Sequence, residues 1–502
     1  MKRMLCGLLA LVFIFGLVAC DVGVASGNGG DRNEDGSWDG VDFKGQKVSL
    51  CISANQYMEV TFPAADIYTK GPDTAGTNEV AKEVLARNAR AAEELGIEIV
   101  YTERDIAWDG IHEDLRRIVQ TASETSPDIY NNDSYGLSRA MVDGLLWNVK
   151  NPGNGVKNYF DFEAEGWYLE FMKGCTFNQD KYYLFASDYF IDMIRMAWVV
   201  FVNHDIFSAN LNKMPKWCDD LDTFYDYVQD GFWDMDMLAE IAGAVFTEGA
   251  GGLYGTTEKT DVTVGFAYCN NSKLVFSAAS GVTVYYQDKE NGYTPKVMDS
   301  IDTYQRVANT FVEMTKTKGV YYEPDTIVPT NCFLQGNFLF AISRLGEMES
   351  SALRDFKGNK GLVPVPKWND NEQDEYHTVL HDQVEIGCIL NTAKAFSASS
   401  ALMQFMAEES KQVVYAYYDK GLKYKYNDDE NARAMMDLVR NTTDSPFGFQ
   451  IGVLCQTLYT GPTALEGIYL NHNTTISSTF ASEKDAYLDC MATMLAKFDA
   501  LE

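Results

Sequence analysis

Apolar residues follow two different spacings in the first third of the chain. Short continuous apolar or β-branched stretches predict buried strands, and they occur at residues 47–53, 97–102 and 127–130. Between these stretches, residues 78–95 and 108–123 carry apolar side chains at the three- and four-residue spacing of a helix. Strands that alternate with helices predict a mostly parallel sheet joined by right-handed crossovers. The beginning of the chain therefore predicts an α/β fold.

The rest of the chain mixes the same two spacings without an internal repeat. Aromatic and β-branched runs predict strands at residues 181–185, 196–202, 338–343 and 361–364. Helical spacing predicts helices at residues 219–229, 234–242 and 301–315. Polar turns and short strands fill residues 252–284, and the chain beyond residue 399 is predicted to be mainly helical. The pattern gives enough apolar sequence for two domain-sized cores.

The first 20 residues have the features of a secretory signal. Lys2 and Arg3 form a positive start, and an apolar run at residues 5–18 follows. That run is too short to span a bilayer comfortably. The end of the segment, L-V-A-C at residues 17–20, resembles a bacterial lipobox. This resemblance implies cleavage before Cys20 and lipidation of that residue.

Residues 21–40 are rich in Gly, Asn, Asp and Ser, and this composition predicts a flexible tether. Within and just beyond it, acidic and amide residues have the spacing of a calcium loop, and they are Asp31, Asn33, Asp35, Gly36 and Asp42. The twelfth position of such loops is usually Glu, and a helix usually precedes them. Because both features are missing from the sequence here, we favour a solvated linker and predict no metal site.

Composition excludes one class of partner. The 502-residue chain has a formal net charge of −31, which argues against nucleic-acid binding, since phosphate recognition needs a basic face. Beyond Cys6 and Cys20, eight widely spaced cysteines contain no C-x-x-C pair, so a zinc site is not predicted. Buried free thiols and disulfides both remain open for them.

Several local motifs resemble those of the family 1 extracellular solute-binding proteins, the maltodextrin-binding-like group. In chain order they are S-P-D-I-Y at 126–130 with G-L-L-W-N-V at 144–149, V-F-V-N-H-D-I-F at 200–207, P-K-W at 215–217 with D-T-F at 222–224, F-L-Q-G-N-F-L-F at 333–340 and G-L-V-P-V-P-K at 361–367. The chain departs from the family pattern at His204, where Lys is usual, and at residues 339–340.

The resemblance implies a type II periplasmic-binding-protein-like fold with two discontinuous α/β lobes joined by crossover strands. By that resemblance, lobe one takes residues 41–187 and 388–440, and lobe two takes residues 192–383 and 445–502. The crossings are expected near residues 186–195 and 383–390, and the ligand between the lobes. No cofactor is implied.

Candidate ligand-binding residues come from two sources. Ligands bind at the carboxyl ends of strands in open α/β sheets, and the family motifs point to loops that also carry aromatic and amide side chains. The candidates are Asn55, Gln56, Tyr57, Asn132, Asp133, Ser134, Tyr135, Asp188, Tyr189, Asp192, Tyr268, Asn270, Asn271, Arg344, Glu347, His381, Asp382, Phe447 and Phe449. Aromatic faces pack on sugar rings, and planar polar groups bridge pairs of hydroxyls.

These features predict a lipid-anchored, monomeric, extracytoplasmic protein that captures a small molecule, chiefly an oligosaccharide, and delivers it to the permease of an ABC importer. Peptide, polyamine and anionic ligands remain open. Two further functions are left open: a secreted glycoside hydrolase, and a surface glycan-capture lipoprotein with no importer. We predict no enzymatic activity, because no catalytic signature occurs in the sequence and the five histidines lack metal-ligand spacing.

Overall fold

The structure is a computed structural model that describes residues 29–53, 68–72, 76–153, 155–248, 262–323, 336–354, 356–425, 429–443, 445–455 and 476–501. The strands are β1 (Gln46–Ser53), β2 (Ile97–Arg104), β3 (Ile129–Asp133), β4 (Trp198–Asn203), β5 (Val264–Cys269), β6 (Tyr285–Asp288), β7 (Thr294–Val297), β8 (Val320–Glu323), β9 (Phe338–Arg344), β10 (Lys360–Pro364) and β11 (Glu385–Ile389).

The α-helices, in chain order, are α1 (Glu79–Glu94), α2 (Ile111–Thr121), α3 (Ser134–Val142), α4 (Leu169–Gly174), α5 (Asp192–Arg195), α6 (His204–Ala209), α7 (Leu221–Gln229), α8 (Met235–Val245), α9 (Asn270–Ala279), α10 (Asp302–Lys316), α11 (Ser351–Arg354), α12 (Phe396–Glu409), α13 (Lys411–Val414), α14 (Glu430–Asn441), α15 (Phe447–Leu454) and α16 (Ile476–Asp499). A π-helix covers Tyr415–Lys425, and short 3₁₀ helices cover Leu211–Lys213, Lys289–Asn291 and Leu345–Glu349.

Lobe one is built on a four-stranded sheet in the order β11-β3-β1-β2. β1 pairs in parallel with β2 and β3, as the alternating pattern predicts, and β11 closes one edge in the antiparallel direction. Val48 and Leu50 of β1 are completely buried. The side chain of Asn78 accepts a hydrogen bond from the backbone N–H of Ala81 and so caps the start of α1. α1 and α12 pack on this sheet.

Lobe two is built on a five-stranded sheet in the order β10-β4-β9-β5-β8. β5 runs parallel to β8 and β9, while β4 is antiparallel to both β9 and β10. Every residue of β4, β5 and β9 is buried, because helices cover the sheet. β6 and β7 form a separate two-stranded antiparallel hairpin.

Two crossing segments join the lobes and lie side by side. The first runs from residue 186 through α5 to β4, and the second runs from residue 379 to β11. Isolated antiparallel bridges pair Phe185 with Gly387 and Ala197 with Leu380. Backbone hydrogen bonds also join Trp198 to Val379 and His381 to Met196. The two crossings therefore form one paired connection between the lobes.

The predicted strand at residues 181–185 is wrong. This segment makes only the isolated bridge from Phe185 to Gly387. The backbone N–H of Tyr182 donates to the side chain of Asn148 rather than to a neighbouring strand. Aromatic content therefore reports burial of this segment, whose backbone pairs with β11 at Phe185 alone among its described residues.

The described part of the predicted tether packs against lobe one. Trp38 is 6% exposed, Arg32 forms an ion pair with Glu408 at 2.9 Å, and the hydroxyl of Tyr159 donates to the carbonyl of Gly30. Residues 29–40 are therefore held in place. Their composition is polar, but the burial of Trp38 and the ion pair of Arg32 attach them to lobe one. Cys20 and the signal segment lie outside the described residues.

The calcium-like spacing does not produce a cation site in the described part of the chain. Asp31 pairs with Lys157, and Asp42 accepts a hydrogen bond from the backbone of Lys44. Among the residues that the structure describes, no group of three His, Cys, Asp or Glu side chains could hold a metal ion.

The C-terminal third packs across the predicted lobe boundary. α14, predicted in lobe one, packs on β10 and α7 of lobe two. α16, predicted in lobe two, reaches lobe one, where Phe498 contacts Phe177 and Tyr183. A disulfide between Cys455 and Cys490 joins the end of α15 to α16. Within the described residues, no helix is both long and apolar enough to cross a membrane.

Candidate functional site

A cavity of about 540 Å³ lies between the lobes beside the second crossing. Lobe one contributes the first turns of α3 and part of α4, lobe two contributes the end of α9 and the β6–β7 hairpin, and residues 377–384 form the wall at the crossing. The start of α15 forms the remaining wall. The cavity lies within the size range of small-molecule sites.

Aromatic side chains supply flat apolar faces on several walls of the cavity. Tyr135 and Phe171 come from lobe one, Tyr286 comes from the hairpin, and Phe447 comes from α15. Tyr135 is oriented by Arg139, whose guanidinium donates to the phenol oxygen at 2.8 Å. Rings held in this way can pack on the apolar side of a sugar ring.

Gln287 places an amide at the hairpin wall. Its Nε2 donates to the carbonyl oxygens of Lys173 at 2.8 Å and Thr176 at 2.9 Å, both in lobe one. These two bonds fix the orientation of the amide. Its Oε1 is buried and has no hydrogen-bond partner among the described residues. This oxygen has no surface open to the cavity, so Gln287 fixes the position of the hairpin on lobe one rather than offering an acceptor to a ligand.

Two glycines allow close approaches at the wall. Gly281 has a φ of 69°, and a Cβ there would lie 2.7 Å from Nε2 of His377. A Cβ on Gly448 would lie 2.8 Å from Oγ1 of Thr283. A larger residue at either position would displace His377 or Thr283, both of which line the cavity, so the glycines permit its observed shape.

Acidic groups and a histidine meet where α3 begins. The carboxylate of Asp133 caps α3 by accepting from Gly136 N–H at 2.8 Å. Although Asp133 as a whole is only partly buried, its carboxyl group is surrounded by protein. Burial, reinforced by nearby Asp382, raises its pKa to about 8. The carboxyl group is therefore mainly protonated at neutral pH.

His381 has two alternative partners at the same place. Its Nδ1 lies 2.9 Å from Oδ1 of Asp382 and 3.2 Å from the backbone N–H of Gln383. A neutral Nδ1 accepts from Gln383, whereas a protonated Nδ1 donates to Asp382. The ring stacks on Trp198 with centroids 5.7 Å apart. The tautomer of the ring therefore decides which of the two partners Nδ1 bonds at the cavity wall.

A second region between the lobes is closed rather than open. In it, Glu349 of lobe two accepts hydrogen bonds from the hydroxyls of Tyr68 at 2.7 Å and of Tyr417. Arg195 of the first crossing lies 3.2 Å from Glu349 and 2.8 Å from Asp192. These five residues are hereafter called the charged contact. Their side chains fill the space between the lobes.

More charged groups lie next to the charged contact. Arg344 and Glu347, three residues apart at the end of β9, form a buried ion pair. Burial raises the pKa of Glu347, and Arg344 opposes that shift. Glu385 at the start of β11 is also buried, and burial together with Asp192 raises its pKa well above the ordinary value. Carboxyl groups therefore outnumber guanidinium groups here, and part of the excess is relieved by protonation.

The structure distributes the predicted ligand-binding residues among four settings. Those that line the cavity are Ser134, Tyr135, His381, Asp382 and Phe447. Those in or next to the charged contact are Asp192, Arg344 and Glu347. Those in other buried or partly buried positions are Asn132, Asp133, Asp188, Tyr189 and Tyr268. Those whose residues or side chains lie outside the described part are Asn55, Gln56, Tyr57, Asn270, Asn271 and Phe449.

Each residue in other buried positions has an internal partner. Asn132 Oδ1 accepts from the backbone of Asp133, and Asp188 faces Arg440 at 3.5 Å. Tyr189 lies under the guanidinium of Arg87. Tyr268 stacks on Phe266 in the core of lobe two, with ring centroids 6.0 Å apart. These contacts are structural and hold the strand ends in place.

Several cavity residues did not emerge from the sequence. Thr283, Tyr286, Gln287 and Lys289 belong to the hairpin and its approach, and His377 belongs to the second crossing. The hairpin had a sequence signal: a K-E-N-G turn at residues 289–292 between two short runs. No sequence signal indicates where that hairpin packs on lobe one.

Comparisons with known proteins show the fold. No protein-family model matches the chain, and no curated protein matches its sequence. The structure is similar to the GacH receptor of Streptomyces glaucescens, solved with acarbose, at 12% identity and a TM-score of 0.54, covering 89% of this chain and 99% of that one. It is similar to the galacto-N-biose-/lacto-N-biose I-binding protein of the ABC transporter from Bifidobacterium longum, at 13% identity and a TM-score of 0.54, covering 90% and 98%.

A third similar structure is the cyclic α-maltosyl-1,6-maltose binding protein of Arthrobacter globiformis, at 11% identity and a TM-score of 0.54, covering 90% and 99%. Sugar-binding proteins of this kind recur among the similar structures. The two-lobed α/β fold is therefore confirmed, and the resemblance to the family 1 solute-binding proteins holds at the level of the fold.

Proposed function

We propose that the protein is a solute-binding lipoprotein that captures an oligosaccharide between its two lobes and delivers it to an ABC importer. The single observation that supports this most is the cavity of about 540 Å³ between lobes that share the fold of sugar-binding proteins. Its walls combine aromatic faces with amide, hydroxyl and imidazole groups, which is the combination that sugar recognition requires.

Capture in this proposal needs no covalent chemistry. The ligand contacts both lobes and the second crossing, so its binding favours the arrangement of the lobes in which all three walls meet. Tyr135 and Phe447 pack on sugar rings, and the hydroxyl of Thr283 and the imidazole of His377 are the polar groups that face the ligand. The neighbouring crossings, bridged at Ala197 and Leu380, form the axis of motion.

The test is a thermal-shift and calorimetric screen with neutral oligosaccharides. A ligand present at 100 times its dissociation constant is expected to stabilise the protein by about 2.7 kcal/mol. Tyr286→Ala, in the cavity wall, should weaken binding at least tenfold. The control Tyr424→Ala removes a 63%-exposed tyrosine from the π-helix and should leave binding unchanged. If amines or peptides stabilise the protein and no sugar does, the carbohydrate proposal is wrong.

Anchoring and delivery have their own test. In cells, Cys20→Ser should release the protein from the membrane fraction, while uptake of the identified sugar should require both Cys20 and the permease. Acyl chains give stable attachment when two or more are present. Membrane retention of Cys20→Ser would refute the anchor, and unaffected uptake in cells lacking this protein would indicate capture without an importer.

A further inference from the structure

We propose that Glu349, Tyr68 and Tyr417 form a latch between the lobes, which holds the cavity in its observed shape before any ligand binds. The latch deepens the proposed function, because it assigns to these residues the role of setting ligand affinity. They are positioning residues, since none of the three lines the cavity.

The geometry of the latch joins parts of the chain that are far apart in sequence. Tyr68 belongs to lobe one, where its backbone carbonyl accepts from Arg87 of α1. Tyr417 lies in the π-helix, which packs on α1, and its ring contacts that of Tyr68 edge-on at 5.4 Å. Glu349 ends the 3₁₀ helix that follows β9 of lobe two. Each hydroxyl donates to a different oxygen of the one carboxylate.

Arg195 connects the latch to the axis of motion. It lies in α5 of the first crossing, 3% exposed, and its guanidinium also lies over the ring of Tyr68 at 5.0 Å. Two residues later, Ala197 bridges the second crossing. A rotation of lobe two about the crossings would therefore carry Glu349 away from both tyrosines while Arg195 stays near the axis.

Separation of Glu349 from the two tyrosines would be unfavourable, because it breaks two hydrogen bonds to a carboxylate. Hydrogen bonds from a neutral donor to a carboxylate are stronger than those between neutral groups. Burial is the largest cause that raises the pKa of Tyr68 and of Tyr417 well above the ordinary value, so both remain donors. If only one lobe moves, the largely buried carboxylate of Glu349, whose side chain is 12% exposed, loses two donors at once. The latched form should therefore dominate without ligand.

The population of the competent form multiplies ligand affinity. Removing both hydroxyls should move the ligand-free protein toward other lobe arrangements and weaken oligosaccharide binding about tenfold. The packing of the two rings is kept in the double variant Tyr68→Phe/Tyr417→Phe, so folding should be preserved. Glu349→Gln is a second variant of nearly equal size.

The experiment measures the distance between the lobes in the ligand-free protein. Fluorophores on Glu98→Cys in β2 and Asp236→Cys in α8 report it, since both positions are exposed and the thiols of the five described free cysteines are buried. Both latch variants should shift or broaden the distance distribution relative to wild type. The control Tyr376→Phe loses a buried hydroxyl bond to Val228 inside lobe two and should leave the distribution unchanged.

The outcomes separate the latch from the proposed function. An unchanged distance distribution in both latch variants overturns the latch, whatever ligand binds. A shifted distribution with unchanged affinity for an oligosaccharide overturns its role in affinity. A shifted distribution in a protein that binds no sugar supports the latch while refuting the carbohydrate proposal.

Discussion

The two regions between the lobes differ in how far side chains fill them. In the charged contact, the carboxylate of Glu349 accepts from Tyr68 and Tyr417, and Nε and Nη1 of Arg195 pair with Glu349 and Asp192. In the cavity, aromatic, hydroxyl and imidazole groups line open space, and Nδ1 of His381 lies near both Asp382 and Gln383. The charged contact therefore fixes the positions of the lobes, whereas the cavity presents groups that a bound molecule can contact.

The largest expected effect is a loss of unfolding free energy when the charged contact is broken. It tests whether this contact stabilises the connection between the lobes. Arg195→Met removes the cation between Asp192 and Glu349, and should lower the free energy of unfolding by about 3–5 kcal/mol, because a buried carboxylate loses its partner. Lys289→Met, on the exposed rim of the cavity, should change it by less than about 0.5 kcal/mol. Urea unfolding measures both. Equal losses would abolish the contrast between the two regions.

The second prediction concerns pH at the edge of the cavity. Because burial raises the pKa of Asp133 in the folded protein from the ordinary value of 3.8 to about 8, the folded state binds a proton that the unfolded state has released between these values. Stability from this group is thus present below pH 4 and is lost as pH rises through 8, by at most about 1.4 kcal/mol per pH unit. Asp133→Asn keeps a capping side chain and should remove this slope.

The measurement for Asp133 is urea unfolding of both proteins from pH 4 to pH 9. The difference in unfolding free energy between Asp133→Asn and wild type should grow in favour of the variant over that interval. A constant difference would mean that the carboxyl group is ionised in the folded protein and well solvated.

The third prediction separates backbone strain from cavity shape. Gly281→Ala and Gly292→Ala both place a side chain at a φ near 70°, so each should lose about 1 kcal/mol of stability. A Cβ at Gly281 would meet His377, whereas a Cβ at Gly292 would meet nothing within 4 Å. Only Gly281→Ala should also weaken ligand binding, by several-fold in calorimetry. Similar affinities in the two variants would place His377 outside the site.

The smallest effect is expected at an exposed contact between the hairpin and lobe one. Glu170 lies 2.7 Å from Lys173 and accepts from the hydroxyl of Tyr293 at 2.7 Å. Its side chain is 58% exposed, so Glu170→Gln should change the unfolding free energy by less than about 1 kcal/mol. A loss as large as that of Arg195→Met would show that exposure does not distinguish the two contacts.

The sequence was informative where one local pattern decides the structure. The apolar spacing placed β1 and α1, and Asn78 marked the start of that helix. The carboxyl-end rule placed Ser134 and Tyr135 at the cavity. In these cases the burial of one face and one capping bond are sufficient, and both are visible in a short window of residues.

The rest depends on contacts between distant parts of the chain. Glu349 is 281 residues from Tyr68, and nothing in either neighbourhood indicates the other. Composition predicted a tether at residues 21–40, but Trp38 finds a pocket on lobe one. Residues such as Tyr189 and Tyr268 follow the ligand-site pattern, yet the described structure places them in the core, because a tyrosine at a strand end serves packing as readily as recognition.

The disulfide between Cys455 and Cys490 makes a covalent ring of the chain between them, 35 residues in sequence separation. A protease that cuts one bond inside this ring would leave both products attached. Electrophoresis without reductant would show an intact protein, while reduction would release the end of the chain that carries Phe498 and its contacts with lobe one. A single cleavage between the two cysteines would therefore leave α15, which forms one wall of the cavity, covalently joined to α16.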